Sequence, residues 1–134
     1  MFLNELGEKN KEFFLNLCGH AIMADDVVEP EEMEYLALCC HEMEIPNQLP
    51  DISESLEDVL DGIINHSTAY ERKIIIFELI RLFKYDGSYD DDEKTFIKPI
   101  LAKFGVSTEI HDKLEKLADE YTTVYNNICN LLND

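Results

Sequence analysis

An acidic turn between two apolar helical segments occurs twice in this chain, and this repetition constrains the fold more than any other sequence feature. One copy, ADDVVEPEE, runs over 24–32, and the other, YDGSYDDDE, runs over 85–93. The offset between them is 61 positions. Acidic residues occupy three equivalent positions in the two copies: Asp25 and Asp86, Glu29 and Asp90, and Glu32 and Glu93. The pattern predicts one helix–acidic turn–helix unit that is used twice.

The apolar residues on either side of the turns follow the same offset. Shifting the chain by 61 positions aligns 13–46 with 74–107. Apolar side chains then meet at six pairs of positions: Ala21 and Leu82, Ile22 and Phe83, Tyr35 and Phe96, Leu36 and Ile97, Met43 and Phe104, and Ile45 and Val106. Each half alone would leave an apolar helix face exposed, so we expect the halves, about 13–46 and 74–107, to pack together.

Apolar residues recur at helical spacing throughout, and no segment has convincing strand periodicity. Helices are expected over Glu8–Met23, from Pro30 to before Ile45, after an Asp51/Glu54 capping pair, from a Thr68/Glu71 pair, over Asp91–Phe104, and from Ser107 onward. The last helix either continues to Leu132 or gives way to a seventh. The sequence therefore predicts an all-α, single-domain bundle of six to seven helices over 1–134.

Three further features refine this prediction. The fourth helix is apolar nearly all round from Ile74 to Phe83, which is typical of the centre of a bundle. Met33, Leu36 and Cys40 are expected on the buried face of the second helix. Pro99 is expected to lie inside the fifth helix and kink it.

The charge balance excludes several classes of partner. The chain has 29 acidic and 11 basic residues, a formal net charge of -18, and no basic cluster. Nucleic acid and anionic lipid surfaces would be repelled. No apolar run is long enough to cross a bilayer, and the charged N-terminal stretch is unlike a signal peptide. We therefore expect a cytoplasmic protein with no membrane insertion and no nucleic-acid partner.

The four cysteines lack Cys-x-x-Cys spacing, which favours reduced, buried side chains over a disulfide framework. They are Cys18, Cys39, Cys40 and Cys129. A cysteine–histidine zinc site that uses His20 or His41 is an alternative, although no structural-zinc spacing is present.

The motif Asp-Gly-x-aromatic/aliphatic-Asp-x-x-Glu after an apolar helix resembles the tellurite-resistance TerB-like family. The resemblance covers roughly Phe13 to Val106, and its first copy has Asp26 where the family has glycine. It implies an all-helical fold of two such halves, a cytoplasmic role in tellurite or related chemical-stress resistance, divalent-cation binding by the acidic residues, and no established catalysis.

The acidic turns have two physical interpretations. Oxygen ligands alone suit Ca²⁺, Mg²⁺ or Mn²⁺, and the candidate metal ligands are Asp25, Glu29, Glu32, Asp86, Asp90 and Glu93. Asp90 and Glu93, however, also have the spacing of a capping box, and a helix N-terminus repels a cation. The carboxylates could therefore act only as helix caps.

We expect a non-enzymatic protein, because the spacing of the four histidines suggests no catalytic set. The leading hypothesis is a divalent-cation-binding TerB-like domain. The alternative is an acidic protein–protein interaction module that docks a basic, unidentified protein partner. Tyr85 and Tyr89, which flank the second turn, are expected to pack as partly buried aromatic residues.

Overall fold

The structure, a computed structural model, describes residues 2–24, 28–85 and 89–134. These residues form a helical bundle, and no strand occurs among them, which confirms the predicted fold class. A short 3-10 turn over Leu3–Glu5 precedes six α-helices: α1 Glu8–Met23, α2 Pro30–Glu42, α3 Leu56–His66, α4 Ala69–Lys84, α5 Asp91–Phe104 and α6 Thr108–Leu132.

Most helix boundaries follow from side chains that satisfy backbone groups at the helix ends. Thr68 and Ser107 are the N-caps of α4 and α6, and each hydroxyl accepts a hydrogen bond from a backbone N–H three residues later. Gly105 ends α5 in the left-handed conformation, with φ 71°. Only glycine adopts that conformation without a Cβ penalty, which explains why the sequence predicted this boundary.

The predicted start of α3 was wrong. Asp51 Oδ1 accepts the N–H of Ser53 at 2.9 Å, and the helix begins later, with Ser55 as its N-cap. The Ser55 hydroxyl accepts the N–H of Asp58 at 3.1 Å. The preceding segment is tied to α1 because the Asp51 N–H donates to Asn16 Oδ1 at 2.9 Å. A tertiary contact thus takes the place of the predicted helical turn.

Helix α4 lies at the centre of the bundle, as its nearly continuous apolar sequence predicted. Ile75, Ile76, Leu79 and Ile80 are completely buried. Helix α4 contacts α1, α5, α6 and the N-terminal 3-10 turn. All twelve apolar residues that the 61-residue offset aligns lie in the core or pack against it.

The helix bounds also follow this offset. Helices α1 and α4 each have 16 residues, and both their first and their last residues are 61 positions apart. Helices α2 and α5 begin 61 positions apart, at Pro30 and Asp91. The prediction of two related halves is consistent with these bounds.

Other details differ from the prediction. Met33 is 37% exposed, and the buried face of α2 is instead formed by Tyr35, Leu36, Cys39 and Cys40. Leu3 and Leu6, which the sequence assigned to no element, are buried. Pro99 lies inside α5, and α6 is one helix of 25 residues. Among residues 2–24, 28–85 and 89–134, no helix combines the length and apolarity needed to cross a membrane.

Candidate functional site

Four of the six candidate metal ligands lie within the described part of the chain. Asp25 and Asp86 fall outside it. The other four occupy equivalent places at the starts of two helices: Glu29 and Glu32 at α2, and Asp90 and Glu93 at α5.

At the second turn, the two carboxylates form a capping box. The Glu93 N–H donates to Asp90 Oδ1 at 2.9 Å, and the Asp90 N–H donates to Glu93 Oε1 at 3.0 Å. At the first turn, the Glu29 N–H donates to Glu32 Oε1 at 2.9 Å. These carboxylates therefore stabilise helix ends, whether or not they also contact a cation.

Tyr85 brings the end of α4 next to the middle of α2. Its ring centroid lies 5.1 Å from that of Tyr35. Burial, followed by the nearby Glu34 carboxylate that accepts its hydrogen bond, raises the pKa of Tyr85. The side chain is still 38% exposed, so it is less buried than the sequence suggested.

Tyr89 connects the second acidic turn to α6. Its ring stacks on Phe83 at a centroid distance of 5.7 Å, with an interplanar angle of 13°. Its hydroxyl lies 2.8 Å from His111 Nε2. The Nζ atoms of Lys94 and Lys84 lie 5.4 and 5.7 Å from the ring centroid. This half-buried tyrosine confirms the packing expected from the sequence.

The contact with His111 leads to a cluster of potential metal ligands on α6. Ligand atoms of His111, Asp112 and Glu115 all lie within 4.8 Å of one another. His111 is buried, and its Nδ1 lies 2.9 Å from Asp112 Oδ1. Glu115 forms a 3.5 Å ion pair with Lys84. Sequence reasoning missed this cluster, although the i, i+1, i+4 spacing on a helix was a usable signal.

The cluster and the acidic turn share one electrostatic environment. Burial raises the pKa of Tyr89 well above its ordinary value, and the carboxylates of Glu115, Glu93 and Asp112 raise it further. The tyrosine hydroxyl is therefore neutral at physiological pH. It can hold the imidazole of His111 in a fixed orientation.

A second polar group lies deep in the core, between α2 and α4. Glu78 is completely buried, and its Oε2 accepts a hydrogen bond from the Tyr35 hydroxyl at 3.1 Å. Arg81 Nη1 donates to Glu78 Oε1 at 3.2 Å. The Arg81 guanidinium lies 5.0 Å from the ring centroid of Tyr121 on α6. This network joins three helices, and the sequence interpretation assigned it no role.

The cysteines do not form a reactive centre within the described residues. Cys18, Cys39 and Cys40 are buried, as expected. Burial, with a smaller contribution from other nearby groups, raises the pKa of Cys18, and burial followed by Glu78 raises that of Cys39 to about 12. Thiols with raised pKa values are poor nucleophiles and poor metal ligands. The one group of three possible metal ligands found among the described residues contains no cysteine.

No family model, curated protein or solved structure matches the chain. The resemblance to TerB-like domains therefore depends on the two motif copies, at 24–32 and 85–93.

Proposed function

We propose that this protein is a non-catalytic, divalent-cation-binding domain with its principal site beside the second acidic turn. The ligands are His111, Asp112 and Glu115, and the turn residues Asp90 and Glu93 supply additional negative charge. The observation that supports this most directly is the convergence of three ligand atoms within 4.8 Å of one another.

The orientation of His111 supports this assignment. A metal-binding histidine usually has its second ring nitrogen held by a hydrogen bond, which fixes the ring orientation and the tautomer. Here the Tyr89 hydroxyl lies 2.8 Å from Nε2, so Nδ1 is the nitrogen that faces the Asp112 carboxylate. A cation bound at Nδ1 would leave the contact with Tyr89 in place.

The position of the cluster along α6 also favours it over the capping carboxylates. Asp90 and Glu93 lie at the N-cap and third position of α5, where the helix dipole repels a cation. The α6 cluster begins at His111, four residues beyond the Ser107 cap, and the dipole effect falls off within the first turn. Lys84 can keep its 3.0 Å ion pair with Asp119 when Glu115 turns toward a cation.

The ligand atoms indicate which cation is preferred. One imidazole nitrogen and two carboxylates suit a borderline metal ion, whereas Ca²⁺ and Mg²⁺ prefer oxygen ligands. Of Ca²⁺, Mg²⁺ and Mn²⁺, we therefore expect Mn²⁺ to bind best. A role in cytoplasmic tellurite or related stress resistance is part of the proposal, and only the TerB-like motif copies support it.

Manganese binding can be measured directly, because free Mn²⁺ has an electron paramagnetic resonance signal that protein-bound Mn²⁺ largely loses. We expect the wild-type chain to reduce this signal and release or absorb heat in calorimetry. Asp112→Asn with Glu115→Gln should weaken binding at least tenfold. Glu109→Gln with Glu120→Gln is the matched control, since it removes two exposed charges from the same helix and should bind normally.

Two outcomes would contradict the proposed site. If the wild-type chain shows no signal loss and no heat at millimolar Mn²⁺, there is no site. If the control pair weakens binding as much as the ligand pair, the ion is only attracted by the overall negative charge. Asp86→Ala with Glu93→Ala tests whether the turn contributes, and a loss that exceeds the control would show that it does.

The capping geometry favours a second candidate function, an acidic interaction module. Asp90 and Glu93 bond each other's backbone N–H groups, so helix capping accounts for them without a cation. The net charge of -18 would then attract a basic protein. This alternative predicts that Mn²⁺ leaves the melting temperature unchanged and that a basic protein captured at low salt dissociates at high salt. Capture that persists at high salt would contradict it.

A further inference from the structure

The C-terminal half of α6 is an exposed segment without charge in a strongly charged protein. Residues 121–133, YTTVYNNICNLLN, contain no charged side chain, whereas charged residues make up 30% of the chain. At that density, thirteen positions would hold about four charges. The other uncharged run of comparable length, 13–24, forms most of α1 and is largely buried. In contrast, most residues of 121–133 in α6 are exposed.

The apolar residues of α6 form a heptad stripe. Leu114, Leu117, Tyr121, Val124, Ile128 and Leu131 follow one another at alternating spacings of three and four, which is the a and d pattern of a coiled coil. Val124 and Ile128 are 55% and 52% exposed, and Leu131 is 74% exposed. Such a contiguous apolar stripe on a surface marks an interaction site.

An apolar groove of about 590 Å³ continues this stripe onto the body of the protein. Leu114, Leu117 and Val124 belong to both the stripe and the groove, and Phe2 and Phe77 supply part of the opposite wall. The stripe and groove together extend along α6 and onto α4.

We propose that this surface binds a second copy of the chain through an antiparallel pairing of the two α6 helices. Two copies that each carry -18 repel each other over most of their surfaces. Residues 121–133 are where they can approach without placing like charges opposite each other. A basic protein partner would instead be expected to select a surface rich in acidic residues, and 121–133 contains none.

The antiparallel direction follows from the spacing of the stripe. In the antiparallel register that places Tyr121 of one copy opposite Val124 of the other, Leu117 faces Ile128 and Leu114 faces Leu131. Every a residue of one helix then faces a d residue of the other. Leu131 of each copy then reaches the groove of the other. A parallel pairing would place residues 112–120 of α6, which hold four acidic and two basic side chains, alongside the same net-acidic stretch of the second copy, and this costs free energy. The antiparallel register avoids this.

Analytical ultracentrifugation of the full chain tests the proposal. We expect the wild-type chain to sediment at twice its 15.5 kDa mass at micromolar concentration, and added salt should strengthen the dimer because it screens the like charges. Val124→Glu with Leu131→Glu should give a monomer. Thr123→Glu with Asn130→Glu is the matched control, since it adds the same charge off the stripe and should leave the dimer intact.

Both glutamate pairs change exposed side chains, so circular dichroism should show unchanged helix content in each. A wild-type chain that stays monomeric at high concentration and high salt would overturn the proposal and assign the stripe to a different protein. Equal dissociation by the stripe pair and the control pair would also overturn it, because the effect would then arise from charge and not from the apolar contact.

Discussion

Asn10 Nδ2 donates a hydrogen bond to Glu71 Oε2 at 2.8 Å, and these two residues are 61 positions apart in the chain. Each is the third residue of its helix, Asn10 in α1 and Glu71 in α4. They are therefore equivalent positions under the offset that relates the two acidic turns. The contact joins equivalent positions of the two predicted halves.

The Glu71 carboxylate serves both helix starts. It accepts the N–H of Thr68, the N-cap of α4, at 3.1 Å, and the N–H of Gly7, the N-cap of α1, at 3.0 Å. Glycine has no side chain with which to cap its own helix. Glu71 from the second half thus accepts the backbone N–H of both N-cap residues, which is the role of the third helical residue in a capping box, and it couples the two helices.

Replacement of Glu71 by glutamine should lower the free energy of unfolding by about 1 kcal/mol at neutral pH, because charge-assisted hydrogen bonds to two helix ends are lost. Burial acts to raise the pKa of Glu71, but hydrogen bonds from Gly7, Asn10 and Thr68 outweigh it and lower the pKa below its ordinary value. The stabilisation is present above the unfolded-state pKa and is lost as pH falls through the lower folded-state pKa.

The difference between wild type and Glu71→Gln should therefore shrink as the pH falls from neutral through the folded-state pKa of Glu71, and urea unfolding at a series of pH values measures it. Glu12→Gln is the control, since Glu12 is an exposed acid on α1. A difference that is independent of pH would show that the Glu71 charge does not stabilise the helix starts.

The buried ion pair of α4 gives a second prediction. Replacement of Arg81 by methionine would leave the Glu78 carboxylate, whose side chain is 1% exposed, without its cation. The loss of one partner of a buried pair costs roughly 3–5 kcal/mol. Glu78→Leu with Arg81→Met removes both charges and should be less destabilising than Arg81→Met alone, although the Tyr35 hydroxyl then loses its acceptor.

Thermal and urea unfolding of both single variants and the double variant give the coupling energy between the two side chains. Lys98→Met removes an exposed cation from α5 and serves as the control, with an expected change near zero. If Arg81→Met is no more destabilising than this control, the ion pair does not stabilise Glu78 in the core.

Much of this fold could be predicted because short-range chemistry determines it. Thr68, Asp90, Ser107 and Gly105 mark helix ends through their own side chains or backbone freedom, so each end can be located in the sequence. The apolar residues of α4 likewise indicate a central helix whatever their neighbours are. The start of α3 could not be located in this way, because Asp51 is held by Asn16, which is 35 positions away.

The candidate site was only partly predictable for the same reason. The acids of the turns stand out as a run, but Tyr89 and His111 are 22 positions apart and meet only when α6 packs against the end of α4. Glu78 is one charged residue among apolar neighbours, and its burial depends on Tyr35 and Arg81 reaching it. No local pattern encodes such a contact.

The end of α5 gives a third prediction, which separates backbone strain from packing. Gly105 has φ 71°, and a Cβ added there would meet no atom within 4 Å. Gly105→Ala should therefore destabilise the protein by about 1–2 kcal/mol through backbone strain alone. Gly105→Asn should cost less, because asparagine tolerates this conformation better, and urea unfolding of the two variants makes the comparison. Equal losses would contradict this explanation.

The last prediction separates helix capping from cation binding at the second turn. In the presence of a chelator, Asp90→Ala should lower the free energy of unfolding by about 1 kcal/mol, and Asp90→Asn by less, because asparagine can still cap. Asp92→Ala removes an exposed acid from the same helical turn and is the control.

With Mn²⁺ at about 100 times its dissociation constant, the wild-type chain should gain about 2.7 kcal/mol, the stabilisation expected for a ligand that binds only the folded state. Asp90→Ala should keep most of this gain, because the proposed ligands lie on α6. His111→Gln should lose it. Thermal unfolding with and without Mn²⁺ measures the gain in each variant. If Asp90→Ala abolishes the gain while His111→Gln retains it, the cation binds at the capping carboxylates, and the assignment to the α6 cluster is wrong.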